Sequence, residues 1–197
     1  GVSISPRECM ALIVRDVAHG PVRWLFAPRE SYASWYGILS SLKRDGMKPT
    51  YIICDGQRGM LKAIRELFPD TLVQRCLAHV VRQARLWLTQ NPKTHAGIAL
   101  LKIVKCLFDI QTLKQKRRWI KSFRKWCKKY DSFLKERTHG ENGRWWHTHR
   151  KLRGGRSLLA NAIPDLFRFV RDREVPRTSN HIEGGVNSRL KELLHCH

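Results

Sequence analysis

Acidic side chains are the scarcest feature of this chain: 16 Asp and Glu stand against 38 Lys and Arg, a formal net charge of +22. A chain so short of carboxylates has a polyanion as its natural partner, and nucleic acid is the first candidate. Long hydrophobic runs are missing too. None approaches the roughly 18 residues that span a bilayer, and no basic-apolar-small leader opens the sequence, so we expect neither a membrane protein nor a secreted one. Cysteines follow no framework spacing: Cys9, Cys54, Cys76, Cys106, Cys127 and Cys196 are scattered through 197 residues, too long a chain to need staples, and thiols are expected rather than disulfides. What is present is 42% apolar residues, enough for one sizeable core with or without a smaller unit attached. The sequence opens without Met and stops at His195-Cys196-His197 inside an amphipathic pattern. We therefore expect a piece of a longer intracellular protein, cytoplasmic or nucleoid-associated in a bacterium and nuclear in a eukaryote.

Residues 9–15 and 22–27 are short apolar runs around a polar turn and read as two strands of a hairpin. Ser31 caps a helix whose apolar positions Tyr32, Trp35, Tyr36, Leu39 and Leu42 recur at three and four residues, until Gly46 ends it. Thr50 to Cys54 suits a buried strand that delivers Asp55-Gly56 at its carboxyl end. A helix through Met60, Leu61, Ile64 and Leu67 runs to Pro69; Thr71–Gln74 forms a strand; Val80, Ala84, Trp87 and Leu88 mark a helix stopped by Asn91-Pro92. From there to about residue 171 the periodicity is helical, with no strand. Residues 111–156 carry 16 Lys or Arg against 3 Asp or Glu, so the charge is concentrated in this stretch. A last helix starts near Thr178-Ser179-Asn180 and carries Ile182, Val186, Leu190 and Leu193. Two strands, helix, strand, helix, strand, helix is the order of an RNase H-like α/β core entered at its second strand. The expectation is thus an α/β protein lacking the first strand of that core: residues 1–90 as its N-terminal part, 91–171 as an all-helical basic insertion, and 172–197 as the returning helix.

Cleavage of phosphodiesters by paired divalent metals needs carboxylates that hold two ions roughly 3.5–4 Å apart. Asp55 ends a buried strand beside a glycine, where its side chain faces the crevice beyond the strand ends. Its plainer role is to cap the helix that follows, and the residues alone leave both open. Glu183 falls in the first turn of the last helix beside Gly184 and Gly185, where glutamates ordinarily satisfy helix amides. Cys76 and His79 have metal-ligand spacing, but a zinc site needs two further ligands and no second pair apart from His195-Cys196-His197 has suitable spacing, so zinc is not expected. Trp119 and Trp126 repeat at helical spacing and read as core. Trp145-Trp146, adjacent and flanked by Arg144, His147, His149 and Arg150, point in different directions on any regular element. Together with the basic face of Lys114, Arg117, Arg118, Lys121, Arg124, Lys125 and Lys128 they form the candidate DNA surface.

Taken together, the Asp55-Gly-x-x-Gly59-Met60 motif, Phe68-Pro69, Gln74-Arg75-Cys76-x-x-His79 and the distant Thr178-Ser179-Asn180-x-x-Glu183-Gly184 followed by Asn187, Leu190 and Lys191 resemble the Mutator-like superfamily of DDE transposases and its bacterial insertion-sequence relatives. The resemblance spans residues 9–194. It implies an RNase H-like catalytic domain in which Asp55 and Glu183 are the second and third acids of a Mg²⁺- or Mn²⁺-binding triad, with Cys76 and His79 as a supporting motif and an all-helical insertion between the acids. It also implies DNA cleavage and strand transfer on transposon ends, by a dimer or higher assembly. The family's first Asp, set in an Asp-Gly-Thr or Asp-Thr-Thr context, has no counterpart here, and Asp16 ends a strand at a turn that should carry it away from Asp55. The other class of function is a catalytically dead, transposase-derived DNA-binding module; a zinc-dependent interaction domain is a third.

Overall fold

A computed structural model describes residues 2–5, 9–16 and 20–179. The chain is mixed α/β, with short sheets and many helices, and divides into two compact units, the first built on residues up to Val73 and the second on Gln74–Arg177.

In the first unit three strands precede the first helix: β1 (Val2–Ser5), β2 (Cys9–Asp16) and β3 (Gly20–Ala27), an antiparallel meander in the order β1-β2-β3. This corrects the expectation of two strands and a missing first one. Val-Ser-Ile-Ser alternates with period two, but four residues ended by Pro6 are too few for the pattern to be read from sequence. Pairing to β2, with Val2 opposite Ala11 and Ser3 opposite Met10, is what makes them a strand. Helix α1 (Tyr32–Arg44) starts where expected: the Ser31 hydroxyl accepts a bond from the Ser34 amide at 3.2 Å, satisfying an otherwise unpaired donor. Its buried face, Trp35, Ile38, Leu39 and Leu42, meets Met60, Ala63, Ile64 and Leu67 of α2 (Arg58–Leu67), with Leu12 and Ala27 of the sheet in the same core. Strand β4 (Tyr51–Cys54) forms a two-stranded sheet with β5 (Leu72–Arg75), begun by the Leu72 amide donating to the Thr50 carbonyl at 3.0 Å.

Where α1 and α2 meet, Gly59 is the close-approach point. A Cβ on it would lie 2.5 Å from the Tyr32 nitrogen and 2.9 Å from the Tyr32 Cα, both backbone atoms that no rotamer change can move. Gly59→Ala is therefore expected to cost about 1–3 kcal/mol, the range for overpacked sites, read as a lower denaturation midpoint in urea. An unaltered midpoint would show that the helices do not pack this tightly.

The second unit is helical apart from one small hairpin. Helices α3 (Leu77–Leu88), α4 (His95–Lys105), α5 (Leu113–Lys129), α6 (Asp131–Lys135) and α7 (Arg150–Ala162) are followed by 3₁₀ turns at Ile163–Asp165 and Arg168–Val170. α3 packs against α4 and α7, so it sides with the helices that follow it. Gly154 and Gly155 sit inside α7, and Gly154 leaves room for a neighbour: a Cβ on it would be 2.8 Å from the Trp87 ring. Trp119 and Trp126 are core residues as expected, 5% and 4% exposed, their indole N–H groups donating to the Ile103 and Ala96 carbonyls at 2.8 and 2.9 Å.

The expectation of no strand between residues 91 and 171 is corrected by β6 (Arg137–His139) and β7 (Trp145–His147), an antiparallel hairpin with His139 opposite Trp145 and Thr138 opposite Trp146. Three-residue strands carry no usable periodicity. The one available signal was Asn142-Gly143, a dipeptide typical of hairpin turns, and Gly143 does take a positive φ of 72°. The expected last helix, with Ile182, Val186, Leu190 and Leu193, lies outside the described residues.

Candidate active site and nucleic-acid interface

The loop from β4 to α2 explains the Asp-Gly-x-x-Gly-Met motif residue by residue. Cys54 is buried at the strand end and Asp55 is half-buried just beyond it. The Asp55 Oδ1 accepts a bond from the Gln57 amide at 2.9 Å, closing a tight turn through Gly56, whose φ of +86° favours glycine. Gln57, not Asp55, caps α2. Its Oε1 accepts from the Met60 amide at 2.6 Å, and its Nε2 donates to the Glu30 carbonyl at 3.3 Å. The capping role that competed with a ligand role for Asp55 is thus taken by a neighbour. Sequence reasoning missed Gln57 because glutamine is not among the favoured caps.

Cys76 is fully buried at the position preceding α3, and His79 lies half-buried in the first turn of that helix. Gln74, named in the sequence motif without a role of its own, lies two positions before Cys76. Gln74 is 0% exposed; its Nε2 donates to the Leu166 carbonyl at 2.9 Å and the Arg75 carbonyl at 2.6 Å, and its Oε1 accepts from the Arg168 amide at 2.9 Å. The Leu77 amide donates to the Arg177 carbonyl at 3.0 Å. Between them these bonds return the chain, after all five helices of the second unit, to the end of β5. Thr178 and Ser179 follow, both half-buried; Glu183 itself lies outside the described residues. Among the described residues no three His, Cys, Asp or Glu side chains cluster as a metal site would require.

The cations stand on the solvent side. Arg117, Arg118, Lys121, Arg124 and Lys125 are all exposed on α5, opposite its buried Trp119, Phe123 and Trp126. Lys116 is less exposed, and its ammonium is pushed below the ordinary lysine value by burial and then by the charges of Arg171 and Arg168, so cations here crowd one another. On the hairpin both tryptophans are open to solvent, Trp145 at 48% and Trp146 at 37%. Each has a guanidinium beside its ring: Arg137 at 4.0 Å from the Trp145 centroid and Arg150 at 5.9 Å from that of Trp146. Arg144 and Arg150 are exposed in the same segment. The hairpin is anchored at its base, where the His149 Nε2 meets the Glu136 carboxylate at 2.9 Å, the His149 ring stacks on Phe133, and the Thr138 and Thr148 hydroxyls bond at 2.8 Å.

A carboxylate held at a strand end, together with an array of outward cations and exposed aromatics, fits the class of proteins that work on a polyanionic chain. Comparison with known proteins narrows the class. The profile of the family described as "Transposase, Mutator family" matches residues 23–153, and the chain belongs to that family. It is 38% identical over 96 residues to the transposase for insertion sequence element IS6120 of Mycolicibacterium smegmatis, covering 48% of this chain and 28% of that protein. It is 33% identical over 103 residues to the transposase for insertion sequence element IST2 of Acidithiobacillus ferrooxidans, covering 50% and 35%. A longer match, 141 residues at 25% identity, joins it to the transposase for insertion sequence element IS905 of Lactococcus lactis, over 69% of this chain and 35% of that protein. The chain therefore spans about a third or less of the length of these curated relatives. No helix among the described residues is long and apolar enough to cross a membrane.

Proposed function

We propose that this chain is part of the catalytic domain of an insertion-sequence transposase, in which Asp55 and Glu183 supply two of the three carboxylates that hold a pair of Mg²⁺ or Mn²⁺ ions for DNA cleavage and strand transfer. The observation that carries the reading is Asp55: a half-buried carboxylate at the end of β4, which is half-buried except at Cys54 rather than buried throughout as expected, in a turn that fixes its position while Gln57 caps the helix. A three-stranded meander followed by the β4–β5 sheet supports an RNase H-like core. The Leu77–Arg177 bond ties the residue before Thr178 to the start of α3. β1 contains no acid and Asp16 pairs with Gly20 at the end of β2, so neither is proposed as the first Asp of the triad.

The metals, when bound, make the attacking oxygen a better nucleophile and stabilise the leaving one. Asp55 and Glu183 fix where the scissile phosphate sits, and Cys76 and His79 buttress the neighbouring strand end. Arg117, Arg118, Lys121, Arg124 and Lys125 bind phosphates on α5, while Arg144, Trp145, Trp146 and Arg150 also touch DNA, phosphates meeting the cations and bases the rings. Paired transposon ends imply a dimer or larger assembly of the full-length protein.

The test is cleavage of DNA carrying the element's own ends by the full-length protein. Cutting should require Mg²⁺ or Mn²⁺ and disappear in Glu183→Gln, and Trp145→Ala with Trp146→Ala should slow it about tenfold, as loss of base stacking worth roughly 1–3 kcal/mol implies. Metal-independent cutting, or full activity in Glu183→Gln, sinks the catalytic reading and leaves a DNA-binding module.

A further inference from the structure

Beyond α5 and the hairpin, a separate group of cations lies in the same unit as Asp55. Only Gly56 and Gln57 separate Asp55 from the start of α2, whose buried face is filled by Met60, Ala63, Ile64 and Leu67. Arg58, Lys62 and Arg65 fall at i, i+4 and i+7, on one exposed side of that helix. With Leu61 and Glu66 they line one open concavity of about 550 Å³. Glu66, the single acid in the group, is turned to α1: the Tyr32 phenol donates to its carboxylate at 2.8 Å. That bond, with smaller contributions from desolvation and charge, raises the Tyr32 pKa to about 12, so the phenol keeps its proton at neutral pH. Lys62 lies over the Tyr32 ring, 4.6 Å from its centroid.

We propose that Arg58, Lys62 and Arg65 form a phosphate-binding track for the DNA backbone flanking the scissile phosphate. The proposal rests on the catalytic reading of Asp55. Three cations over roughly 10 Å of helix suit a linear, repeating anion better than a single small one. A site with three positive charges and one carboxylate already engaged by a phenol attracts phosphate on balance. Its position matters as much as its charge. The cations of α5 belong to the other unit, whereas α2 is joined to Asp55 by a turn that hydrogen bonds hold at both ends. A backbone seated on α2 is thereby held in register with the carboxylate that acts on it.

The measurement is binding of a short duplex to the full-length protein across a range of salt concentrations, for wild type and for the triple variant Arg58→Gln, Lys62→Gln and Arg65→Gln. All three side chains are exposed and glutamine is a good helix former, so helix content by circular dichroism should not change. Each phosphate contact contributes about 0.9 to the log–log salt slope, so the slope should flatten by about 2–3 units. Glu66→Gln removes the one acid of the group and should tighten binding about twofold to fivefold. A steep wild-type slope that the triple variant leaves unchanged overturns the track while the catalytic reading stands. Wild-type binding that does not weaken as salt rises also overturns the track, whereas the catalytic reading fails separately, through metal-independent cutting or an active Glu183→Gln.

Discussion

Asp55→Asn is expected to lower DNA strand cleavage by the full-length protein about a thousandfold or more while leaving its fold and DNA affinity nearly unchanged. A ligand carboxylate that stabilises charge on both sides of a phosphoryl transfer contributes several kcal/mol at the transition state, and about 4 kcal/mol corresponds to three orders of magnitude. Asparagine is the discriminating choice. Its side-chain oxygen can still accept the Gln57 amide, so the turn through Gly56 survives and only the negative charge is lost. Asp55→Ala removes both and should also lower thermal stability. The comparison is made by single-turnover cleavage beside circular dichroism melting. If Asp55→Asn cuts as fast as wild type, the carboxylate is a turn residue and nothing more.

Gln74→Leu is expected to be the most destabilising conservative-volume change in the second unit, by about 3–5 kcal/mol. Leucine fills the space but leaves the Leu166 carbonyl without its donor and the Arg168 amide without its acceptor, and each buried backbone group left unpaired costs about 1–3 kcal/mol. The Arg75 carbonyl is deprived of the same donor. Guanidinium denaturation reads the loss directly. A shift under about 0.5 kcal/mol would mean that water or rearrangement satisfies those groups. Gln74→Glu adds a pH signature. A protonated carboxyl can still donate to one carbonyl and accept from the Arg168 amide, whereas a carboxylate cannot donate and is buried without compensation. Its folded pKa is therefore raised above the unfolded value, and the stability present below the unfolded pKa should be lost as pH rises through the folded one.

Much of the fold was readable wherever an element was long enough to show its period. α1, α2 and the Trp119/Trp126 face of α5 each bury one side of a helix over three turns or so, and their spacing made them legible. β1, β6 and β7 did not show. β4 and β5 are no longer than β1, but each holds an aliphatic pair between turn residues, Ile52-Ile53 and Leu72-Val73. β1, β6 and β7 lack such a pair, and pairing across the sheet, which a single segment does not encode, decides their state. Gly154 inside α7 has a tertiary cause, the Trp87 ring against that helix.

The sequence by itself determined the chemistry on offer: a strand that delivers Asp55, a basic helical stretch, two adjacent tryptophans, and separated motifs that together point to the transposase family to which the chain belongs. Tertiary structure alone decided how those residues are held. Only folding brings Gln74 to Leu166 and Arg168, 92 and 94 positions away, and the Arg177 carbonyl to the Leu77 amide. The same is true of Tyr32, which reaches across from α1 to Glu66 and leaves the cations of α2 outnumbering the acid beside them. The physical reason is common to all of these. Residue type and local period follow from the chain's own stereochemistry, whereas a buried hydrogen bond or a charge balance depends on which distant groups share the space, and that is known only once the core has closed.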